Sequence, residues 1–401
     1  MNPFDASTHP DGGHSRRAEA ADRLAGAELP SWELEEWRYS PVADLDFDRY
    51  EQHSEAALSD QELDALRSEF NTPNLGVTRN GVVVYTEGVV EATTNADRLV
   101  ASNEDLFLDM NDVFTPTTLT VTAKNGAMVD QDIVVVHLID ADGAAVFTHL
   151  ALDAGEAASF KVLEVFRSND VAAFVNPQIE VRCAQASNVG YVARQELGPR
   201  VWQIGSQISE VDQQATFRSS IAAFGGEYAR LRSDCRLIGR GAHGDLDAIY
   251  FGDGEQVLDF RTFQDHDAPD TTSNLLFKGV VDDSSRAIYT GLIRVAEEAR
   301  GTQAYQTNRN IKLGEHSWAE SVPNLEIETD DVRCSHASTV GPIDENQRYY
   351  LETRGVPPEV ADELIVAGFF DEVIADLPIA SAESAVARAV QAKLNRESVS
   401  A

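Results

Sequence analysis

The segment Ile133-Val-Val-Val-His-Leu-Ile139 is rich in β-branched residues and has the length of a single buried strand. Similar segments recur from about Gly76 to Val340, separated by Gly, Asp and Asn, which favour turns; they include 81–85, 118–122, 179–183 and 287–295. Too few helical patterns lie between them for an alternating strand–helix fold. Because roughly 260 residues of strands exceed a usual sandwich, the sequence predicts either a β-solenoid or a large double sheet.

An internal match favours the solenoid. Residues 182–190 (Arg-Cys-Ala-Gln-Ala-Ser-Asn-Val-Gly) and residues 333–341 (Arg-Cys-Ser-His-Ala-Ser-Thr-Val-Gly) share Arg, Cys, Ala, Ser, Val and Gly in register. A repeated segment is typical of a chain that stacks similar coils. Chance or shared turn chemistry would produce the same match, so it supports the solenoid only weakly.

The β-rich region lies between two segments of different character. Residues 1–75 are predicted to be a flexible segment before Leu29-Pro30, followed by a small helical unit with a capping box at Ser59 to Glu62. Residues 76–340 are the β core, and residues 341–401 are a helical domain. The sequence therefore predicts three parts, with β structure confined to the middle one.

The tail from residue 341 onwards carries clear helix signals. Pro342 to Asp344 precedes a helix over 345–353 that stops at Gly355. Pro357-Pro358 begins a second helix, which runs to Gly368, and Ser381 caps a third, from Ala382 to about Arg396. A tail of this size cannot bury all of its apolar residues alone, so we expect a partner protein to cover a set of them. That set is Leu364, Ile365, Phe369, Phe370, Val373 and Ile374.

Composition limits the partners and the compartment. The formal net charge of −35 disfavours binding to nucleic acid or to an anionic membrane. Cys183, Cys235 and Cys334 are far apart and form no CxxC pair, which is typical of a protein in a reducing compartment. The polar residues 1–17 lack the apolar region of a secretory signal, and no apolar run is long enough to span a bilayer. We therefore expect a cytoplasmic protein.

One motif suggests a nucleotide but is better explained by turn geometry. Gly239-Arg-Gly-Ala-His-Gly244 satisfies the GxGxxG pattern of dinucleotide-binding loops. Such a loop must be followed by a helix, whose N-terminus meets the pyrophosphate. Residues 245–251 have the character of another strand instead. We interpret the glycines as part of a tight β-turn.

A stronger candidate site is Cys334-Ser-His336. If this segment is a strand, Cys334 and His336 lie on the same face, because side chains alternate along a strand. A thiolate beside an imidazole is a plausible half-site for a soft metal ion or an iron–sulfur cluster. Two ligands do not complete a tetrahedral shell, so the others would come from elsewhere in the chain or from another subunit. The alternative is a buried cysteine beside a hydrogen-bonded histidine, and Cys183 and Cys235 are expected only to fill core volume.

Several segments, in order along the chain, resemble the SufB/SufD family of scaffold proteins in the Suf iron–sulfur cluster assembly machinery. The most specific match joins Val332-Arg-Cys-Ser-His-Ala-Ser-Thr-Val-Gly341 to Asp344-Glu-Asn-Gln-Arg-Tyr-Tyr-Leu-Glu-Thr-Arg-Gly355. Further matches lie at residues 35–40, 265–273, 277–279, 308–310 and 322–328. The resemblance extends from residue 35 to about residue 370.

This resemblance implies a mainly β fold, with a right-handed parallel β-helix core flanked by N-terminal and C-terminal helical domains. It also implies two partners: a SufB-type paralogue bound through the β-helix, and a SufC-type ATPase bound through the C-terminal helices. The chain is most similar to SufD. Its Arg309-Asn310 pair is followed by Ile-Lys-Leu-Gly314, without the cysteine that the SufB type carries there. Cys-Ser-His at 334–336 resembles the motif of the SufD type.

The resemblance further implies that His336 and Cys334 form part of a composite site at the interface with the SufB-type partner. The expected cargo is iron or a transient iron–sulfur cluster shared with that partner, and a reduced flavin is a possible component of the complex. No cofactor is expected to bind the isolated chain tightly, and ATPase activity is expected in the partner rather than here. The alternative is a carbohydrate-active β-helix enzyme, similar to a polysaccharide lyase. The lack of a secretory signal and the helical tail count against it.

Overall fold

A computed structural model describes residues 15–94, 96–101 and 105–395. The helices are α1 (Ser15–Leu24), α2 (Asp60–Phe70), α3 (Leu106–Phe114), α4 (Glu345–Thr353), α5 (Pro358–Ile374) and α6 (Ala380–Leu394). The strands are β1 (Glu51–Gln52), β2 (Leu75–Arg79), β3 (Val82–Glu87), β4 (Val90–Thr93), β5 (Thr118–Ala123), β6 (Ile133–Ile139), β7 (Ala144–Ala154), β8 (Ser159–Ser168), β9 (Ala173–Cys183), β10 (Asn188–Glu196), β11 (Val201–Val211), β12 (Thr216–Ala223), β13 (Tyr228–Leu237), β14 (His243–Gly252), β15 (Val257–His266), β16 (Thr272–Val281), β17 (Arg286–Val295), β18 (Thr302–Lys312), β19 (Trp318–Ile327) and β20 (Val332–Pro342).

The middle of the chain is a parallel β-solenoid. Each coil contributes one strand to each of two facing sheets. The odd-numbered strands from β5 to β19 stack in one sheet, which we call the odd sheet, and the even-numbered strands from β6 to β20 stack in the other, the even sheet. From β5 to β20, neighbouring strands in each sheet are parallel, and one coil takes about 30 residues, within the range of known solenoid repeats. The predicted β-helix core with helices at both ends is confirmed.

The repeat that defines each coil is a corner rather than the match between residues 182–190 and 333–341. Where the chain turns from the odd to the even sheet, a residue with positive φ precedes a small buried residue in successive coils. The pairs are Ala157–Ala158, Ala186–Ser187, Gln214–Ala215, Gly241–Ala242 and Asp270–Thr271. Residues 182–190 span such a corner, whereas 333–341 lie within the single strand β20, so the two segments are not equivalent repeats.

The GxGxxG segment is one of these corners, as the turn interpretation predicted. Gly241 adopts φ +70°, which favours glycine. A Cβ at Gly239 would lie 1.9 Å from the backbone nitrogen of Gln213, and one at Gly244 would lie 2.8 Å from the sulfur of Cys235. Gly241 is thus explained by its backbone conformation, and Gly239 and Gly244 by close packing, while β14 rather than a helix follows.

The N-terminal region covers the outer face of the odd sheet. Helix α1, which the sequence analysis did not predict, packs against α3, and Arg23 pairs with Asp109 at 2.5 Å. Residues 1–14 of the segment predicted to be flexible lie outside the described residues. Residues 35–49 form three short 3-10 turns, and the Trp37 ring stacks 3.9 Å from the Arg230 guanidinium carbon. The capping box at the start of α2 is confirmed.

The C-terminal tail packs on the outer face of the even sheet. Helix α5 continues past Gly368 to Ile374, because Phe370 and Val373 are buried against the sheet. Helix α6 begins at Ala380 without a side-chain cap, since the Ser381 hydroxyl donates instead to Asp132 at 2.7 Å. Within the described ranges, no helix is both long and apolar enough to cross a bilayer.

The two ends of the solenoid differ. At the N-terminal end β3 pairs antiparallel with β2, and β4 pairs antiparallel with β5, so the chain folds back over its first coils. A Cβ at Gly76 would lie only 2.9 Å from Val90, which shows how closely this cap packs. At the other end, among the described residues, β19 pairs only with β17 and β20 only with β18. We call the coil formed by β19 and β20 the open end.

Candidate functional site

Strand β20 places Cys334 and His336 on the same side of the open end. In the parallel register with β18, Cys334 lies beside Ala304 and His336 beside Gln306. Ala304 is 0% and Gln306 is 1% exposed, so both point into the solenoid. Because neighbouring residues in register share a face, Cys334 and His336 face the interior side of the last coil. The geometry predicted from their spacing is therefore present.

The two side chains differ in exposure. Cys334 is half-buried against the apolar cluster formed by Ile293, Val295, Ala299 and Ala304. This burial raises the pKa of the Cys334 thiol above its ordinary value. His336 is exposed, since no further coil covers it. A metal ion bound at Cys334 would therefore have to displace a proton, whereas the imidazole is directly accessible.

The open end presents interior-type side chains to solvent. Leu325 and Ile327 in β19 lie beside the fully buried Ile293 and Val295 of the previous coil, yet each is 38% exposed. Val340, on the face of β20 that carries His336, is 40% exposed. The outer edges of both strands also leave backbone donors and acceptors without a neighbouring strand in the described chain. This coil is built like the interior of the solenoid but is left uncovered.

The remaining soft side chains belong to the core. Cys183 and Cys235 are each 1% exposed, and burial raises the pKa of the Cys235 thiol to about 12. The ring nitrogens of His266 lie 2.7 Å from the Thr271 hydroxyl and 2.8 Å from that of Ser273, and burial lowers its pKa to about 4. Across residues 15–94, 96–101 and 105–395, no group of three or more His, Cys, Asp or Glu side chains is arranged to hold a metal ion.

The predicted partner-binding residues of the tail divide into two groups. Phe370 is 0% and Val373 is 2% exposed, so the expectation that a partner must cover them is wrong: the chain's own even sheet covers them. Leu364 is 51% exposed, and three others are half-buried, namely Ile365, Phe369 and Ile374. No sequence pattern predicts this division, because the hydrophobic residues of α5 are distributed around the whole helix.

A surface groove runs between α4, α5 and the end of β20, and we call it the tail groove. Its lining includes Ile311, Ile343, Tyr350, Leu351, Leu364, Ile365 and Phe369. Tyr350 is 59% exposed, and the neighbouring Tyr349 is 68% exposed. Sequence reasoning missed these tyrosines, although two adjacent aromatics in an otherwise polar helix are the kind of signal that marks a binding surface.

Comparison with known proteins identifies the family. The family model described as "SUF system FeS cluster assembly, SufBD core domain" matches residues 137–369. An iron–sulfur cluster assembly SufBD family protein of Mycobacterium tuberculosis is 28% identical over 289 residues, covering 70% of this chain and 72% of the relative. The iron–sulfur cluster assembly protein SufD of Escherichia coli is 26% identical over 362 residues, covering 86% of this chain and 84% of the relative. The SufD protein of Bacillus subtilis is 27% identical over 269 residues, covering 66% and 62%.

The matched region begins in β6 and ends in α5, so it contains most of the solenoid, the open end with Cys334 and His336, and part of the tail groove. It comprises more than half of the chain. The fold, the order of the matching segments and the family model agree, and the chain therefore belongs to the SufBD family of the SUF iron–sulfur cluster assembly system.

Proposed function

We propose that this chain is a SufD-like subunit of a Suf scaffold complex that builds and transfers nascent iron–sulfur clusters. In that complex it pairs with a SufB-type paralogue through the open end and carries a SufC-type ATPase on its C-terminal helices. The observation that supports this most is the exposure of interior-type side chains in the last coil. The SufD names of the Escherichia coli and Bacillus subtilis relatives support the subunit type.

A second β-solenoid is the partner best suited to the open end. The coil ends in two edge strands, one in each sheet, and a partner strand could add to each of them. The apolar residues Leu325, Ile327 and Val340 would then be covered by the interior face of the partner's own last coil. Such an interface combines backbone pairing with apolar burial, as obligate interfaces do. A second copy of this chain is the competing occupant, and a mass measurement distinguishes the two.

At this interface Cys334 and His336 would supply part of the ligand set for iron or a nascent cluster. Thiolate and imidazole ligands suit soft metal centres and iron–sulfur clusters. The partner would supply the remaining ligands, because two side chains do not complete a tetrahedral shell. In this role the chain is a scaffold without catalytic activity of its own, and the partner ATPase hydrolyses ATP. A reduced flavin in the complex remains a prediction.

The tail groove is the surface that we assign to the ATPase. Leu364, Ile365 and Phe369 line it, while Phe370 and Val373 hold α5 on the even sheet. The Lys278 ammonium donates to the Phe369 carbonyl at 2.7 Å and pairs with Glu372 at 2.5 Å. Because α5 contacts both the groove and the sheet that ends in β20, a movement of the ATPase can be transmitted towards the open end.

Anaerobic co-expression with the SufB-type chain and the ATPase tests the proposal. We expect one heteromeric complex by mass, iron–sulfur absorption in that complex and none in the isolated chain. His336→Ala should assemble normally but lack the chromophore, whereas Ser335→Ala, on the opposite face of β20, should retain it. A chromophore on the isolated chain, or normal cluster content in His336→Ala, would contradict the shared site.

The ATPase contact needs a separate test. Leu364→Asp places a charge in the tail groove and should abolish co-purification of the ATPase while the paralogue still binds. Val360→Asp is a matched control, because Val360 lies in the same helix, is 41% exposed and does not line the groove. Equal loss of the ATPase in both variants would show that the groove is not the contact.

The alternative of a carbohydrate-active enzyme has lost its support. A β-helix alone does not imply polysaccharide cleavage, since one fold hosts many functions. The matched family belongs to cluster assembly, and its model covers the solenoid itself. We expect no cleavage of uronate polymers by the purified chain, and a release of unsaturated products would reopen this alternative.

A further inference from the structure

The interior of the solenoid contains polar as well as apolar side chains. In the first coils, apolar residues such as Val135 and Phe160 lie beside the hydrogen-bonded His137, Glu164 and Tyr191. In the last coils, buried polar residues also form hydrogen bonds inside the solenoid. They include Tyr250, Tyr289, Gln306, Asn308 and Asn310. Buried polar groups are costly unless they are paired, so each unpaired atom in this region calls for an explanation.

Gln306 is held at one end of its carboxamide only. Its Nε2 donates to the Tyr289 hydroxyl, which lies 2.9 Å from the hydroxyl of Thr262. The absence of a side chain at Gly291 makes this position possible, because a Cβ there would lie 1.7 Å from the same nitrogen. The orientation of the amide is therefore fixed by Tyr289 and by close packing across the solenoid.

The other end of the carboxamide is unpaired. Gln306 is 1% exposed, and its Oε1 has no hydrogen-bond partner among the described residues. A buried acceptor left unpaired is unfavourable, because its lost hydration is not replaced by a hydrogen bond. In the register of β18 with β20, the residue beside Gln306 is His336. Both face the interior side, so the unpaired oxygen belongs to the residue directly adjacent to the proposed iron ligand.

We propose that Gln306 is a positioning residue for His336. With a metal ion on one ring nitrogen of His336, the N–H of the other ring nitrogen would donate a hydrogen bond to Oε1 of Gln306. A histidine that binds a metal commonly donates its second ring N–H to an acceptor of this kind, which fixes the tautomer and the ring orientation. Gln306, Tyr289 and Thr262 then form a chain of hydrogen bonds that orients the exposed imidazole. This inference rests on the proposed role of His336 at the shared site.

The chain offers a matched control in Gln264. It is 0% exposed, its Nε2 donates to Ser273 at 2.8 Å, and its Oε1 is also unpaired within the described chain. In register, however, Gln264 lies beside Cys235 and Ile293 rather than beside a histidine. Replacing either glutamine by Met removes an unpaired buried acceptor at similar side-chain volume, but only the change at Gln306 affects the neighbour of His336.

The test is an anaerobic Fe²⁺ titration of the metal-free complex with the SufB-type partner. Five forms are compared: wild type, Gln306→Met, His336→Ala, the double variant of these two, and Gln264→Met. We expect Gln306→Met to weaken Fe²⁺ binding by about tenfold or more. In the His336→Ala background it should have no further effect, and Gln264→Met should bind like wild type. Thermal unfolding of each form checks that the fold is retained.

The outcomes separate the inference from the proposed function. Equal weakening by Gln306→Met in both backgrounds, or equal weakening by Gln264→Met, would show a general structural effect and overturn the inference. If His336→Ala weakens Fe²⁺ binding but Gln306→Met does not, the inference fails and the shared site stands. If His336→Ala binds Fe²⁺ like wild type, the proposed site fails, and the inference fails with it.

Discussion

At the N-terminal end of the solenoid, β3 and β4 fold back over the first coils, and interior residues such as Val90 and Leu119 are 3% and 1% exposed. At the other end, Leu325 and Ile327 occupy equivalent interior-facing positions but are each 38% exposed. Terminal coils of a solenoid need a cap, because each coil buries its faces only against its neighbours. The contrast between a capped end and an end left uncovered in the described chain supports the proposal that the open end is an interface.

Buried polar side chains lie inside the solenoid at both ends. In the first coils, His137 lies 2.8 Å from the Thr78 hydroxyl and 2.8 Å from a Glu164 carboxylate oxygen, and the Tyr191 hydroxyl donates to the other oxygen of Glu164. Near the open end, buried Gln306 and Asn308 form hydrogen bonds with tyrosine hydroxyls. Such bonds fix particular side-chain orientations. The two ends therefore differ in how they are covered rather than in the polarity of the interior.

The largest expected effect separates the two ends by a single type of substitution. Leu119→Ala, in β5 beneath the cap, should lower the free energy of unfolding by about 2–5 kcal/mol. Leu325→Ala, at the open end, should cost less than about 1 kcal/mol in the isolated chain. Urea unfolding of both variants measures the difference. Equal costs would show that the open end is already packed like the core, against our account.

A second effect of similar size concerns the polar interior. Burial lowers the pKa of His266 from 6.5 to about 4 in the folded chain, so the unfolded chain takes up its proton first as the pH falls. Stability from this group is complete above pH 6.5 and decreases down to about pH 4, by about 3 kcal/mol at 1.36 kcal/mol per pKa unit. Because many carboxylates also titrate in this range, the measurement compares how steeply the free energy of unfolding changes with pH in wild type and in His266→Gln. Parallel profiles over this range would refute the prediction.

A smaller effect on stability is expected in the part of the even sheet that the C-terminal helices cover. Asp247, in β14 beneath α5, is half-buried, and its pKa is raised to about 7 by burial and by the nearby carboxylates of Asp245 and Asp376. Its protonated form is favoured in the folded chain, so stability is lost as the pH rises from 3.8 to about 7. Asp247→Asn should therefore raise stability at pH 8 by roughly 1 kcal/mol, allowing for solvent screening, and much less at pH 4. Thermal unfolding at both pH values measures this, and an equal gain at both would count against it.

Local signals in the sequence were sufficient to predict some of the helices. Helix α4 spans the predicted residues because Asp344 caps it and Gly355 adopts φ +87° just after its end. Helix α3 was missed, because its polar residues Asp109 and Asp112 are buried against Arg23 and Arg98, and no local pattern shows that pairing. Helix α5 passes through Gly368, where the contacts of Phe370 with the sheet outweigh the cost of a glycine within a helix. Tertiary packing decided the elements that local patterns did not.

The site shows the same division. The spacing of Cys334 and His336 predicts a common strand face, and the structure has it. That His336 lies beside Gln306, and that Leu325 is left uncovered, depends on the register between strands that are far apart in sequence. No local pattern encodes that register. In the proposed shared site the remaining ligands belong to the partner, so the sequence of this chain can indicate only that the ligand set is incomplete.

The most direct test of the account is amide hydrogen exchange on the isolated chain and on its complex with the SufB-type paralogue. We predict that residues 318–342 exchange quickly in the isolated chain and become strongly protected in the complex, while residues 75–93 of the cap are protected to the same degree in both. Unchanged exchange in residues 318–342 on complex formation would contradict the claim that the open end is the interface.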